Sequence, residues 1–527
     1  MQIARIGSGS AERYSAEVVG AKAANLARMA TLGLPVPPAF VLPIELCAAI
    51  TNREPDAAKK LADGIAEGIE FLENATGRVF GDRRRPLLVS VRSGAARSMP
   101  GMLDTVLDVG CTSAAVRGLV HMSGDPGFAH DCRRRFLESY GGVVLGIKQA
   151  AFSTPLNELL KAEDAASVHM LDSAALEQLA ASYQHVIEEE DGALSDDPMD
   201  QLKAAVEAVH RSWMSERART YRKLEHLEFL QGTAVAVQAM VFGNSGAASG
   251  AGVAFSRDPS SGATDPVIEV LFGSQGEDVV SGRYNPDTED AIARTLPGVA
   301  SQLRGALAQL EREFRDIQDV EFTIEKGKLW FLQTRAAKRT PQAAVRFAVD
   351  LVNEKLIAPA EALQRLNGVD LASLTRTRLT DAGMAVAHGT GASIGIAVGR
   401  VAFDSDSAAR LAAGGQPVIL VRPDTSTADV AGFAVSAGIL AAVGGRTAHA
   451  ALVARQMGRP CIVGCTDLTV DAARHTAQLA DTTIHEGDWL SMDAGTGSVH
   501  LGRAGVVSER PDAELAEIER WRIAVPA

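Results

Sequence analysis

GGRTAHAALVARQMGRPCIVG, residues 444–464, is the stretch on which the reading of this chain turns. Its two leading glycines let the backbone turn sharply, and a helix from about 447 to 456 then places His449 in its first turn. The free N–H groups and the dipole at that end favour negative charge, so a phosphate carried on the imidazole would sit in a stabilising field. Neutral imidazole is a competent nucleophile near neutral pH. A lone histidine is more often a cap or a packing residue, and ten of the eleven histidines here read that way. The surroundings of His449 reverse those odds.

Working outward, QPVILVR (416–422), GILAAVGG (438–445) and PCIVGC (460–465) read as strands in a Gly/Ala/Val-rich unit of alternating short strands and helices, about 378–505. Residues 341–377 read as a helical linker. The end of the chain, 506–527, reads as a C-terminal helix with ELAEIERWRIAV (514–525) at its centre. Before the linker, strand patterns recur at 233–243, 251–259, 266–273, 319–325 and 328–335, and a mostly helical subdomain spans about 112–197 within helical periodicity that runs on to 230. Pro35, Pro37 and Pro38 exclude helix at 32–42 and mark a turn into an extended segment. These patterns give a multidomain α+β and α/β protein, with one domain over 1–340 and another over 378–505.

A formal charge of -13 excludes a basic footprint for nucleic acid or an anionic membrane. Cys47, Cys111, Cys132, Cys461 and Cys465 are odd in number and scattered, with no C-x2-C pair for zinc, and read as reduced thiols. The opening residues lack the apolar run of a signal peptide, and no segment approaches 18 uncharged apolar residues. The expectation is a soluble cytoplasmic protein.

Two further stretches carry phosphate chemistry. In VRSGAARSMPGMLDTVLDVG (91–110), Arg92 and Arg97 flank glycines and small residues that let backbone N–H groups approach phosphate oxygens. In DVEFTIE and KLWFLQTR, Asp319 and Glu321 share one strand face, and Gln333 and Arg335 share another. Carboxylate and amide oxygens suit Mg²⁺ on ATP phosphates, and the arginine can fork onto an oxygen pair.

The 444–464 segment resembles the phosphohistidine signature G-G-x-T-x-H-A-A…A-R-x-M-G-x-P-C of enzymes that interconvert pyruvate and phosphoenolpyruvate, and 91–110 resembles pyruvate phosphate dikinase in particular. That resemblance covers nearly the whole chain. It implies an ATP-grasp nucleotide-binding domain at 1–340 followed by a swivelling phosphohistidine (PEP-utilising mobile) domain at 378–505. It implies His449 as phosphoryl carrier, Thr447 as a site of regulatory phosphorylation, and ATP or phosphate contacts from Lys22, Arg92, Arg97, Gln238, Met240, Glu277, Asp319 and Arg335, with Asp278 beside Glu277. By analogy Arg135, in CRRRF, contacts inorganic phosphate, although an arginine run is usually surface. Glu321 and Gln333 would hold Mg²⁺.

By the same resemblance ATP binds between the lobes of 1–340, His449 attacks its β-phosphorus, AMP leaves, and inorganic phosphate removes the outer phosphoryl group as pyrophosphate. The family continues into a barrel that binds pyruvate. Its absence from these 527 residues implies a separate PEP/pyruvate-binding barrel partner, and homodimers are common among relatives. A phosphotransferase to another small molecule and a silent nucleotide-sensing module are the alternatives. The short 341–377 connector argues against the first, and intact Lys22, Arg92, Glu321, Gln333 and His449 argue against the second. Three departures stand out: Ala251 where the family has threonine, Ile394 in A-S-I-G, and Gly142 in Y-G-G-V-V.

Overall fold

Pro126, Pro198, Pro297, Pro341 and Pro359 each open a helix, where the missing N–H costs nothing and the ring pre-sets φ. The computed structural model describes residues 2–524 apart from Ser10, Ala11, Arg53, Ser98, Pro100, Gly101, Asp191, Ser373, 425–428, Ala472 and Ala473. The chain divides into two units, 1–249 with 323–334, and 250–322 with 335–527.

The first unit is built on a five-stranded antiparallel sheet in the order Ala4–Ile6, Ala39–Leu42, Ala234–Ala239, Val89–Gly94, Thr105–Val109. Helices from Ser113–Ser123 to Glu216–Leu224 follow, so the helical run extends beyond 197. Five of them close over the sheet in one apolar cluster that includes Val91, Val106, Phe136, Phe152 and Val206. The glycine pair of Y-G-G-V-V sits at the start of a π-helical turn, Gly141–Leu145.

A second sheet runs in the order Asp287–Thr288, Val267–Phe272, Gly250–Phe255, Gln318–Glu325, Lys328–Ala336, and residues 323–334 of its last hairpin group with the first unit. An eight-stranded sheet holds a parallel centre, Ile396–Ala402, Val418–Arg422, Gly438–Ala441 and Cys461–Val463. Those strands are apolar on both faces because both are covered. Val418, Leu420, Ile439 and Ala441 pack with Ala448 and with Ala451 and Ala454 of the helix His449–Gln456. Ile419, Val421 and Leu440 pack with Leu468, Ala477, Leu479 and Ile484 of a three-stranded meander.

The ends of this domain correct the expected boundaries. Residues 506–509 are not helical: Arg376–Thr380 and Gly505–Glu509 pair antiparallel into a ribbon, as β-branched Val506 and Val507 favour. The terminal helix spans Asp512–Ala524 and returns Ile518 and Trp521 to the linker helices Pro341–Asn353 and Pro359–Arg365. All five cysteines are free and buried, and burial pushes the Cys461 thiol up to about 12 and Cys465 to about 11. No helix among the described residues is long and apolar enough to cross a membrane.

Candidate active site

The histidine loop is held by a carboxylate that lies far away in sequence. Glu269, 5% exposed on the strand Val267–Phe272, accepts the Arg446 N–H at 2.5 Å on Oε1, and the Thr447 N–H and hydroxyl at 2.9 and 2.5 Å on Oε2. Asn285 Oδ1 accepts the Gly444 N–H at 2.9 Å. Gly445 permits the approach: a Cβ there would lie 2.7 Å from Glu269 Oε2 and 2.5 Å from Pro286. A cavity of about 360 Å³ borders these residues, lined also by Thr288 and Thr466.

His449 opens the helix His449–Gln456, two residues after the helix start expected from sequence. Its N-cap, Ala448, supplies no side-chain acceptor for the opening amides. Thr447 is 1% exposed and committed to Glu269, so a phosphoryl group on its hydroxyl requires that contact to open. Arg455, at the far end of the same helix, is also sealed in. It donates to Ala392 O at 2.7 Å, Arg446 O at 3.0 Å and Ser260 Oγ at 3.1 Å. Burial lowers its pKa, opposed by Asp258, Glu269 and Asp319.

Asp319 and Arg335 meet directly. Arg335 Nε donates to Asp319 Oδ2 at 2.8 Å, and Asp319 is 2% exposed. Burial pushes the Asp319 carboxyl up against the pull of Arg335, with Glu321 adding to the rise. Burial opposes the Arg335 charge, but Asp319 and Glu321 outweigh it and raise its pKa. Glu321 is half-buried. Glu277 and Asp278 lie on the short helix Gly276–Val280, where Asp278 accepts the Gln275 N–H as part of a capping box. Ala251 is fully buried beside Val253 and Val279.

In the first unit the helix Ala16–Thr31 kinks at Gly20, φ 79°, so that Ala21 N–H reaches Ala95 O at 2.9 Å. A Cβ on Gly20 would lie 2.0 Å from Gly94 O. This brings the helix of exposed Lys22 against the loop that carries Arg92 and exposed Arg97. Arg92 pairs with Ala236, and Ser90 with Gln238, which puts Arg92 and Gln238 on one face of the sheet. Gln238 Nε2 donates to Pro37 O at 3.2 Å, and Met240 N–H to Leu88 O at 2.9 Å. Gln333 is buried on the strand Lys328–Ala336, where Thr334 O accepts from Asn25.

The arginine run is not on the surface. Arg133, Arg134 and Arg135 are 7%, 5% and 5% exposed because Asp131 takes Arg134 at 2.6 Å, Arg135 at 2.8 Å and Asn244 at 2.7 Å, and Arg133 donates to Cys111 O. Burial alone would raise the Asp131 carboxyl, but Arg135 and Arg134 hold it well below the usual range. Glu269, Asn285 and Arg455 were not singled out from sequence. The available signals were a carboxylate inside the apolar run PVIEVLF and an arginine inside an alanine-rich helix.

Fold and site define a multidomain protein of mixed helix and sheet, in which a glycine-framed histidine loop docks on a carboxylate-bearing sheet. Known proteins fit this class. Residues 57–301 and 289–355 match the family described as "Pyruvate phosphate dikinase, AMP/ATP-binding domain". Residues 414–497 match "PEP-utilising enzyme, mobile domain". Similar proteins include a chloroplastic pyruvate, phosphate dikinase 1 of Arabidopsis thaliana, 41% identical over 517 residues, 96% of this chain and 53% of that protein. The pyruvate, phosphate dikinase of Rhizobium meliloti (strain 1021) is 40% identical over 539 residues, 98% of this chain and 59% of that protein. That of Clostridium symbiosum is 40% identical over 494 residues, 92% and 56%. The chain belongs to the pyruvate phosphate dikinase family and spans a little over half the length of these relatives.

Proposed function

We propose that this chain carries out an ATP- and phosphate-dependent half-reaction that ends in phospho-His449. An imidazole nitrogen of His449 bonds to the β-phosphorus of ATP as the bond to the α-phosphate oxygen breaks and AMP leaves. An oxygen of inorganic phosphate then attacks the outer phosphorus, releasing pyrophosphate and leaving one phosphoryl group on His449. The observation that carries this reading is the position of His449, first in a helix without a side-chain cap and behind a loop pinned by Glu269.

In this reading Lys22, Arg92, Arg97 and Arg335 bind phosphates, with Arg135 toward inorganic phosphate. Gln238, Met240 and Glu277 lie on the nucleotide side of an ATP-grasp fold. The described residues hold no group of three His, Cys, Asp or Glu able to cage a metal. Mg²⁺ takes one or two protein oxygens and fills the rest with phosphates and water. Glu321 and Gln333 would hold it, and it would neutralise charge on the transferring phosphates. Asp319 keeps Arg335 aimed.

The ribbon of Arg376–Thr380 with Gly505–Glu509 is the pivot on which the histidine domain swings to its acceptor. We assign the pyruvate step to a part of the enzyme outside these 527 residues. Purified protein given β-³²P-ATP, Mg²⁺ and phosphate is expected to acquire acid-labile label, and His449→Ala to acquire none. Label that survives His449→Ala, or none in the wild type despite ATP binding, refutes the reading.

A further inference from the structure

Arg455 is an expensive residue for its place. Its helix packs inward through small or apolar residues, Ala451, Leu452, Val453 and Ala454, whereas Arg455 is 1% exposed and its Nη1 has no hydrogen-bond partner. A buried cationic donor left unpaired is costly, so packing alone does not account for it. Its guanidinium joins three segments: Arg446 O in the histidine loop, Ala392 O in the strand Thr390–Ser393, and Ser260 Oγ just beyond the strand Gly250–Phe255. It lies over the Phe255 ring, 5.3 Å from the centroid.

One strand over is a complementary orphan. Gln318–Glu325 neighbours Gly250–Phe255, and Ser256 N–H donates to Gln318 O at 2.9 Å, so Asp319 lies beside the end of the strand on which Arg455 stacks. Asp319 spends Oδ2 on Arg335, while its buried Oδ1 has no partner.

We infer that Arg455 is a positioning residue that couples the histidine loop to the Asp319–Arg335 pair. This rests on the proposed function, in which polyphosphate draws on Arg335. When Arg335 turns its donors to phosphate oxygens, Asp319 loses its counter-charge inside the protein, and Arg455, with a free N–H, takes up that charge. Because Arg455 also grips Arg446 O, the loop carrying His449 is held harder while ATP is bound and eased when the phosphates leave. Coupling of this kind is reciprocal, so a docked loop also favours the phosphate-bound state of Arg335.

A double-mutant cycle tests this. Single-turnover labelling from β-³²P-ATP is compared for wild type, Arg455→Met, Asp319→Asn and the double variant. Each single change is expected to slow labelling roughly tenfold and the double change also roughly tenfold, since either breaks the same link. A double variant slowed roughly a hundredfold would mean independent effects and overturn the inference. Amide exchange over 444–456 with and without a non-hydrolysable ATP analogue gives a readout free of chemistry. Nucleotide is expected to slow exchange in the wild type and in neither single variant, and protection that persists in Arg455→Met overturns the inference. If Arg455→Met does not fold, Arg455→Gln, which keeps a donor for the carbonyls without the charge, is expected to lose the same protection. A wild type that takes no label refutes the proposed function, and the exchange result then decides the inference alone.

Discussion

Two glycine-rich loops carry the candidate chemistry, and they are held by different means. The Arg92–Arg97 loop is fixed by backbone against backbone: Ala21 N–H on Ala95 O, with Gly20 so close to Gly94 that no side chain fits. The histidine loop is fixed by side chains, with Glu269 and Asn285 accepting its amides and Arg455 behind it. A steric backbone contact has no second state. Carboxylate and guanidinium groups recover hydration when they part, so a contact built from them can open at modest cost. On the proposed function, the first loop stays and the second leaves.

The largest effect is expected where the permanent contact is broken. Gly20→Ala places a methyl 2.0 Å from Gly94 O at a positive φ, and the loss should be at least about 4 kcal/mol in thermal denaturation. A stable, ATP-binding Gly20→Ala protein would show that the first loop can move after all. Next comes Glu269→Ala, which strands the Arg446 and Thr447 amides. We expect about 3 kcal/mol of local loosening, read as faster amide exchange over 444–448 with exchange over 89–94 unchanged. Glu269→Gln should lose less, because it keeps an acceptor.

What could be read beforehand follows the range of the interactions. The strands at 319–325 and 328–335 were legible within a residue because a period of two is local, and Pro35 to Pro38 placed the turn before Ala39–Leu42. The helix that His449 opens was legible within two residues because glycines, threonine and helical spacing stand together in the chain. Glu269 was not, since its partner Thr447 lies 178 residues away and nothing in PVIEVLF says what the carboxylate faces. The arginine run misled for the same reason: Asp131 lies within the helix, but the core that buries it and Asn244, 113 residues on, do not. Residues 506–509 paired as a strand because a partner at 376–380 was available, which no local propensity reveals.

Acid should separate the two loops. His210 is buried without a partner on the helix Pro198–Ser212, which packs on the strand that ends in the first loop. Burial lowers its pKa from 6.5 to about 4. The unfolded chain therefore binds this proton first, so the stability is present above pH 6.5 and is lost as pH falls toward 4. The loss should be about 2 to 3 kcal/mol. His210→Leu should flatten that part of the pH profile of the first unit, as followed by exchange over 89–94. A profile unchanged by His210→Leu would place the acid sensitivity elsewhere.

The smallest effect concerns Ala251, where relatives were expected to place a threonine hydroxyl near phosphate. The methyl of fully buried Ala251 packs with Val253 and Val279 in an apolar cluster. Ala251→Thr should therefore cost about 1 kcal/mol in thermal stability and leave nucleotide affinity within roughly twofold. Tighter nucleotide binding in Ala251→Thr would mean that this strand, like the histidine loop and unlike the Arg92 loop, shifts when phosphate arrives. The division between a fixed and a movable loop would then have to be drawn one strand further into the second unit.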